Sequence, residues 1–416
     1  PAALMFGNAA AAGAINVVTP RIPLERLEQT LRGALEMRAG TAAEERSVGG
    51  HIAVRLGEHL QFHADAHRQR SEDLHIPGFA WSSAARADAV AAGEPVDLSR
   101  GTLVNSAGEA DGGGAGLAWV GERHAFGLSL SRYDSEYGLP GLGEEAGEPP
   151  GIRLSMSQRR DDFSGQWQPS SGGIRVLRLR ASRNDYEHLE LEPSGDIGTR
   201  YAQLGTELRL TAEHGDALGA ANGSRGAWGM QVRKLDFDAE GEEAFLPPSV
   251  TRNSGLFLFQ EREFGALTLE AGARYEYQTV LDYSADSLSG SLGAVWAARE
   301  DLNFSLQMAS TERHPTATEL YADGPHLAVQ RYEIGDDSLG TETGRSVDLG
   351  LRWSTKPPDT VVVELWGAQL PPATVSADQT EPASVVEEPS PPPPPPAPPP
   401  RPAPQPVNKP VAEPEP

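Results

Sequence analysis

The sequence predicts an all-β protein whose strands form a transmembrane antiparallel β-barrel. Apolar and polar residues alternate with a period of two over many segments, most regularly from Phe264 to Trp353, so each predicted strand has one apolar and one polar face. Many segments reach about ten residues, the length that a tilted strand needs to cross a bilayer, whereas strands of soluble domains most often have about five or six. Long and short connections also alternate along the chain, as in barrels with short turns at one membrane surface and long loops at the other.

The predicted elements are about fourteen strands joined by two classes of connection. The strands lie near 32–39, 46–56, 59–70, 112–121, 123–134, 151–168, 174–187, 198–213, 225–237, 250–262, 264–278, 286–298, 301–311 and 342–353. Tight turns marked by glycine or charged residues are predicted at 57–58, 121–122, 169–173, 263–264 and 299–300, with a longer turn at 214–223. Longer polar loops are predicted around 71–111, 135–150, 188–197, 238–249, 279–285 and 312–341.

The composition argues against several classes of function. The chain has 416 residues, a formal net charge of -24 and no cysteine. Nucleic acid is not expected as a partner, because phosphate backbones are bound by clustered Lys and Arg. No phosphate-binding glycine loop, nucleophile elbow or His-Glu-x-x-His motif is present, so the sequence indicates neither an enzyme nor a resident cofactor. Because the chain starts at Pro1, we expect a fragment or a processed product.

Three segments resemble one protein family. The glycine- and alanine-rich start, followed by the run from Ile15 to Thr19, resembles the end of the plug domain of TonB-dependent outer-membrane receptors. The plug residues that carry this resemblance are Gly7, Asn8, Gly13 and Asn16. The segment from Arg313 to Tyr321 is similar to an extracellular Arg-Ala-Pro-Thr…Glu-Leu-Tyr segment of the family, with His314 at the position of the usual Ala. Residues 131–141 fit the branch that includes receptors for zinc or iron complexes.

The resemblance implies energy-coupled uptake of an iron–siderophore or other metal complex across the cell outer membrane. Family members have a plug inside a barrel of twenty-two strands, and their partners are the TonB energy-transducing complex, outer-membrane lipid and the metal-complex ligand. Here, residues 1–24 are expected to be the end of the plug domain, residues 25–354 a partial β-barrel and residues 355–416 a disordered Pro-rich tail. The chain is therefore expected to be part of such a receptor.

The tail differs from the rest of the chain. Its segment from Pro389 to Pro410 is mostly proline, which favours extended polyproline II and does not form a β-ladder. The tail resembles the periplasmic linker of TonB- or TolA-type proteins, which suggests a misjoined gene model or a fusion and implies a periplasmic location. Two other functions stay open: a passive fourteen-strand outer-membrane channel, and a periplasm-spanning protein that binds a partner through this tail.

Candidate ligand-binding residues lie in the predicted long loops. By the resemblance, six side chains are expected to contact ligand at the outer mouth: His75, Tyr137, His314, Glu319, Tyr321 and His326. A resident metal site is not expected. His59, His63 and His67 share a strand face, but strand residues four apart are separated by roughly 13 Å, too far for one ion to bridge. We predict that these three histidines line the polar interior.

Overall fold

The computed structural model describes residues 4–5, 7, 17–93, 96, 98–140, 151–170, 173–215, 224–241, 244–326, 331–356 and 359–369. The described residues belong to one compact unit within residues 1–371, and residues 372–416 lie outside them. The predicted Pro-rich segment and three of the plug residues, Asn8, Gly13 and Asn16, therefore also lie outside them.

Fifteen strands pair into one antiparallel sheet, in the order β1-β2-β3-β6-β7-β8-β9-β10-β11-β12-β13-β14-β15-β18-β19. The strands are β1 (Leu31–Ala39), β2 (Arg46–Arg55), β3 (Leu60–Ser71), β4 (Leu74–Phe79), β5 (Arg100–Leu103), β6 (Gly108–Val120), β7 (His124–Gly138), β8 (Arg153–Trp167), β9 (Ile174–Leu191), β10 (Ile197–His214), β11 (Ser224–Gly241), β12 (Ser249–Phe264), β13 (Leu267–Val280), β14 (Tyr283–Arg299), β15 (Leu302–Arg313), β16 (Asp323–His326), β17 (Arg331–Ile334), β18 (Glu342–Lys356) and β19 (Asp359–Gln369). Two loops contain further elements. Strands β4 and β5 pair around helix α1 (Ser83–Ala92), and helix α2 (Ala317–Tyr321) precedes the hairpin β16–β17.

The predicted all-β fold is confirmed, and each predicted strand corresponds to a strand of the large sheet. The fifteenth strand, β19, lies in the segment that the sequence analysis assigned to the tail. Two predicted long loops are short, because the strands that flank them extend further. The loop expected at 279–285 is a turn between Val280 and Tyr283, which pair with each other, and the loop expected at 188–197 lies between β9 and β10.

Helix α1 lies in the loop predicted at 71–111, where the sequence analysis placed no helix. Its alanine-rich sequence favours helix. The hydroxyl of Ser82 caps its start by accepting a hydrogen bond from the Ala85 N–H, and Gly93 ends it in the left-handed conformation at φ 75°. Among the described residues, no helix is long and apolar enough to span a membrane.

Burial in the sheet is inverted relative to a water-soluble protein. On β13, Arg274 and Glu276 are 2% and 3% exposed, while their neighbours Tyr275 and Tyr277 are 46% and 44% exposed. The same alternation on β12 and β14 buries serine, asparagine and glycine and exposes leucine. We call the buried side of the sheet the polar face and the other side the apolar face. Because exposed apolar residues are stable against lipid and buried charges need a polar interior, this arrangement is typical of a transmembrane barrel.

The apolar face continues across the sheet from β7 to β18. Its large exposed side chains include Phe126, Leu128, Leu130, Trp167, Leu208, Trp228, Met230, Val232, Leu256, Leu258, Leu288, Leu292, Trp296, Val347, Leu349, Leu351 and Trp353. Within the described residues, the edge strands β1 and β19 do not pair with each other, so the sheet is open.

Candidate functional site

Residues 20–27, which we call the anchor segment, lie against the polar face. The Arg21 guanidinium donates two hydrogen bonds to the Asp65 carboxylate on β3, both at 2.8 Å. Gln61, four residues earlier on the same face, accepts from the Leu27 N–H at 2.5 Å and donates to two further carbonyls of the segment. Arg55 on β2 donates to the Leu27 carbonyl at 3.0 Å. Bidentate pairs of this kind fix orientation as well as distance.

Glycines of β6 and β7 make room for the anchor segment. A Cβ atom on Gly116 would lie 1.8 Å from the Arg21 carbonyl oxygen, and one on Gly127 would lie 2.7 Å from Cγ2 of Ile22. Gly114 is similarly close, at 2.7 Å, to Nε of Arg21. Gly114 and Gly116 of β6 are thus explained by close approach of the anchor segment, because a side chain at either position would displace it.

The amino-terminal residues reach the polar face at a second place. Gly7, at φ 98°, lies against the side chains of Arg274 and Glu276; a Cβ atom on it would lie 3.2 Å from the Arg274 guanidinium. Leu4 is 3% exposed, and a Cβ atom on Gly272 would lie 2.7 Å from its Cδ1. Arg274 donates to Glu276 at 2.9 Å. The predicted plug residue Gly7 therefore contacts buried charges of β13.

A folded loop, residues 313–342, occupies the long-loop end of β13–β18, and we call it the loop platform. Arg313 donates two hydrogen bonds to Glu319, at 2.9 and 2.8 Å, and one to Glu342 at 2.7 Å. Glu319 also accepts from the Thr316 N–H, and the Thr316 hydroxyl accepts from the Glu319 N–H, so α2 begins with a capping box. The hydrogen bonds from Arg313 lower the pKa of Glu319 to about 2.

The platform is joined to the turn between β13 and β14. The Tyr321 hydroxyl donates to the Val280 carbonyl at 3.3 Å and accepts from the Tyr283 N–H at 3.1 Å. Gly335 fits tightly against α2, because a Cβ atom on it would lie 2.6 Å from the backbone of Leu320 and Tyr321. These contacts hold the loop in one defined conformation.

His314 is buried beneath the platform. It is 2% exposed, its Nδ1 lies 3.2 Å from the Tyr283 hydroxyl, and its Nε2 is buried without a hydrogen-bond partner. Burial lowers its pKa below the ordinary value, so the imidazole is neutral at pH 7.

Aromatic side chains line the polar face toward the long loops. His188 and Tyr201 occupy directly opposite positions on β9 and β10, with ring centroids 4.6 Å apart. Tyr186 contacts His188 edge-on at 5.6 Å, and its hydroxyl lies 3.1 Å from Nδ1 of that residue. Phe237 and Phe245 each lie 6.3 Å from Tyr201. We call these five residues the aromatic row. Such surfaces stack on planar π-systems.

Residues 86–363 match the model of the family described as TonB dependent receptor-like, beta-barrel. The chain belongs to the TonB-dependent receptor family. Members of this family are outer-membrane proteins, which agrees with the inverted burial of the sheet.

Solved structures share the receptor fold at low sequence identity. The FrpB iron transporter from Neisseria meningitidis (F3-3 variant) is 14% identical, with a TM-score of 0.61, and the match covers 79% of this chain and 53% of that one. The siderophore receptor PirA from Pseudomonas aeruginosa is 16% identical, with a TM-score of 0.62 and coverage of 86% and 58%. A double mutant of the Serratia marcescens hemophore receptor HasR, in complex with HasA and heme, is 16% identical, with a TM-score of 0.60 and coverage of 82% and 54%. The chain spans about half the length of these structures.

The structure brings together three of the six predicted ligand residues. His314, Glu319 and Tyr321 all belong to the loop platform of this TonB-dependent receptor chain. Glu319 is bonded to Arg313 within the platform, whereas Tyr321 and Nδ1 of His314 contact the turn between β13 and β14. His75 lies on β4, where its backbone N–H donates to the Ala42 carbonyl at 2.7 Å. Tyr137 lies near the end of β7, opposite Gly108 of β6, and is 39% exposed.

The remaining predicted residues are only partly described. His326 pairs through its backbone in the hairpin β16–β17, and its side chain lies outside the described residues. Of the three histidines predicted to line the interior, His63 is 2% exposed on the polar face. His59 precedes β3 and contacts Trp119, whereas His67 stacks on Tyr133.

Sequence reasoning missed the anchor segment and the aromatic row. Asp65 and Gln61 alternate with the same period as His59, His63 and His67, but nothing in the sequence links them to Arg21, which is 44 residues away from Asp65. The aromatic row was missed because only Tyr186 lies in the strand predicted at 174–187, whereas His188 falls in the loop predicted at 188–197, which β9 enters as far as Leu191. Among the described residues, no three His, Cys, Asp or Glu side chains are grouped closely enough to hold a metal ion.

Proposed function

We propose that this chain acts in an outer-membrane receptor that takes up an iron–siderophore or another metal complex with energy from the TonB complex. The observation that carries the proposal is an amino-terminal segment bound to the polar face of a sheet whose other face is apolar. A bound interior segment is expected of a gated receptor, whereas a passive channel needs an open interior. Family membership supports the same assignment.

The proposal assigns residues 1–24 to the end of the plug and residues 25–354 to the barrel. Within the predicted tail, 355–416, it adds β19 (Asp359–Gln369) to the sheet and assigns residues 370–416 to a linker that is periplasmic if it belongs to the natural protein. Energy transfer through TonB would act on the amino-terminal part, since Gly7 and Arg21 are its contacts with the barrel. The chain's chemistry is binding and gating, and the energy comes from its partner.

The proposed ligand surface combines the predicted residues with the aromatic row. Tyr137, His75 and His326 are proposed as contacts at the mouth, and Tyr186 as a stacking partner below it, since Tyr201 is only 6% exposed and packs against His188. Glu319 and Tyr321 are proposed to act mainly by holding the platform, because their polar groups bond Arg313 and the turn between β13 and β14. His314 is proposed to support the platform from below, where its Nδ1 lies 3.2 Å from the Tyr283 hydroxyl. Planar aromatic chelators fit this surface, because aromatic rings stack on π-systems.

The test is uptake of ⁵⁵Fe bound to enterobactin, a catecholate chelator, by cells that lack their own catecholate receptors and express the full chain. The proposal predicts uptake that disappears when TonB is deleted and falls at least several-fold in Y186A, with little change in the matched variant Y133A. Removal of residues 370–416 should leave uptake intact. Steady ion conductance in planar bilayers without TonB would instead support the passive channel, and loss of activity on removing the tail would support the partner-binding alternative.

A further inference from the structure

One side chain joins two connections at the long-loop end of the sheet. Asn105 lies in the turn between β5 and β6, and its Nδ2 donates to the Leu139 carbonyl at 2.8 Å and to the Ile152 carbonyl at 3.1 Å. Leu139 and Ile152 lie at the two ends of the connection between β7 and β8, where the Leu139 N–H donates to the Ile152 carbonyl at 2.9 Å. We call residues 138–139 and 151–152 the neck. A single amide group therefore binds both chains of the neck.

The turn that carries Asn105 is ordered by its own contacts. Asn105 has φ 60°, a left-handed conformation that is uncommon for residues other than glycine and is tolerated by asparagine. The Asp73 carboxylate accepts from the N–H groups of Ser106 and Ala107 at 2.8 and 2.9 Å. The Ser106 hydroxyl donates to the Leu103 carbonyl at 2.6 Å. The Asn105 side chain therefore extends to the neck from a turn that is already fixed.

Glycines on both chains of the neck make room for the Asn105 side chain. A Cβ atom on Gly138 would lie 2.2 Å from Oδ1 of Asn105, and one on Gly151 would lie 2.1 Å from its Nδ2. Gly151 also has φ 92°, a conformation that favours glycine. Any larger residue at either position would displace the amide group. The contact thus depends on shape as well as on hydrogen bonds.

The neck determines where Tyr137 lies. Tyr137 immediately precedes Gly138, whose N–H donates to the Ala107 carbonyl at 3.1 Å. It also lies directly opposite Gly108, where an added Cβ atom would be 3.1 Å from the Tyr137 Cβ. Alternation places Tyr137 on the polar face, two strands away from Tyr186 of the aromatic row. Because Tyr137 is 39% exposed, its ring stays accessible while its backbone is held.

We propose that Asn105 is a positioning residue for ligand binding, because it ties the neck to the turn between β5 and β6 and so holds Tyr137 in one place at the mouth. This inference rests on the proposed function, in which Tyr137 contacts the ligand. A side chain that is ordered before binding loses less conformational entropy when the ligand arrives, so its affinity for the ligand is higher. Loss of Asn105 should therefore raise the ligand concentration that gives half-maximal uptake and leave the maximal rate unchanged.

The experiment measures uptake of ⁵⁵Fe-enterobactin over a range of concentrations by cells that lack their own catecholate receptors and express the full chain. N105G permits the left-handed backbone and removes the amide, whereas N105D presents a carboxylate to the two carbonyl oxygens. The half-saturating concentration should rise about three- to tenfold in N105G, and at least as far in N105D. The maximal rate per receptor at the cell surface should stay within about twofold of the parent. The matched control N303D, at the short-turn end of β15, should change neither value.

A double-mutant cycle with Y137A shows whether Asn105 acts through Tyr137. In the Y137A background, N105G should change the half-saturating concentration by less than about twofold, because the ring that it positions is gone. Independent effects of the two substitutions overturn the proposal, as does a half-saturating concentration in N105G equal to that of the parent. A lower maximal rate with an unchanged half-saturating concentration would indicate general damage to the receptor and also overturns it.

A measurement without ligand separates this inference from the proposed transport function. The chain has no cysteine, so nitroxide labels on cysteines introduced at positions 137 and 186 report one distance by double electron–electron resonance in the purified full chain. We expect a narrow distance distribution that N105G broadens. Equal widths overturn the inference even if enterobactin is taken up, whereas broadening without uptake contradicts the transport function alone. If N105G does not fold, D73A replaces it, because loss of that carboxylate frees the turn of Asn105, and an unchanged width in D73A overturns the inference.

Discussion

The anchor segment and the loop platform are held by the same kind of ion pair in different surroundings. Each is held by an Arg–carboxylate pair with two hydrogen bonds, Arg21–Asp65 in the anchor and Arg313–Glu319 in the platform. The anchor pair is 23% and 21% exposed and is backed by glycines that the chain approaches closely, whereas Glu319 is 40% exposed and also caps a helix. The anchor therefore combines its hydrogen bonds with close steric fit against two strands, whereas the platform is held mainly by a hydrogen-bond network that includes a helix cap.

The largest expected effect breaks the steric fit of the anchor. Gly116→Val places a side chain on the Arg21 carbonyl, so we expect the anchor segment to detach at a cost of about 3 kcal/mol. Amide hydrogen exchange at Leu27, whose N–H is bonded to Gln61, measures the change. The control is Gly78→Val, since Gly78 has nothing within 4 Å of its added Cβ. Unchanged protection at Leu27 in Gly116→Val would mean that shape does not hold the segment.

A smaller effect is expected from the ion pair of the anchor. Asp65→Asn removes the charge that Arg21 meets in a partly buried site, which should lower the free energy of opening at Leu27 by about 2 kcal/mol. The matched control is Asp134→Asn, because Arg132 also donates two bonds to Asp134 but is 71% exposed. For Asp134→Asn we expect a loss of less than about 1 kcal/mol in local stability. Equal effects in the two variants would show that burial adds nothing to the anchor pair.

In the platform, the corresponding change is Glu319→Gln. It weakens the two bonds from Arg313 and the cap of α2, and we expect a loss of about 1 kcal/mol in local stability. Exchange at Ala322, whose N–H is bonded to the Thr318 carbonyl, reports it. Glu342→Gln is the control, since Glu342 accepts a single bond from Arg313 and is 58% exposed. The prediction fails if Glu342→Gln is the more damaging substitution.

The smallest expected effect is the pH dependence of local stability, which distinguishes the contribution of His314 from that of Glu319. Because burial lowers the folded-state pKa of His314, its contribution to stability is full above the ordinary value of 6.5 and is lost as pH falls below it. Glu319 has a folded pKa of about 2 against an ordinary 4.5, so its contribution is full above pH 4.5 and is lost on approach to pH 2. Protection at Ala322 should therefore decrease between pH 7 and pH 5 in the parent chain. In His314→Gln it should be flat over that range, and a decrease of equal size there would contradict the assignment.

The fold could be predicted because its signal is local. Alternation along β12, β13 and β14 marks the two faces directly, and turn residues such as Gly57, at φ 111°, mark the strand ends. Two loops, at 188–197 and 279–285, were predicted too long because polar residues there indicate a loop. Polar residues also occur in strands outside the lipid-facing stretch, and the flanking strands extend into both segments.

The candidate site could be predicted only in part, because its contacts are long-range. The resemblance predicts roles for His314, Glu319 and Tyr321, and the structure places all three in the loop platform. The contacts that hold His314 and Tyr321 are made with Val280 and Tyr283, in a turn that is distant in sequence. The anchor depends on a match between Arg21 and the glycines of β6, which no local pattern encodes.

The central claim is that the sheet faces lipid on one side and a polar interior on the other. The chain has no cysteine, so single cysteines introduced from 252 to 259 on β12 can each carry a unique spin label in outer-membrane vesicles. We expect high oxygen accessibility of the spin labels at Leu256 and Leu258 and low accessibility at Asn253, Gly255 and Phe257, with a period of two. Uniform oxygen accessibility along the strand, or high accessibility at Asn253, Gly255 and Phe257, would contradict a lipid-facing apolar face.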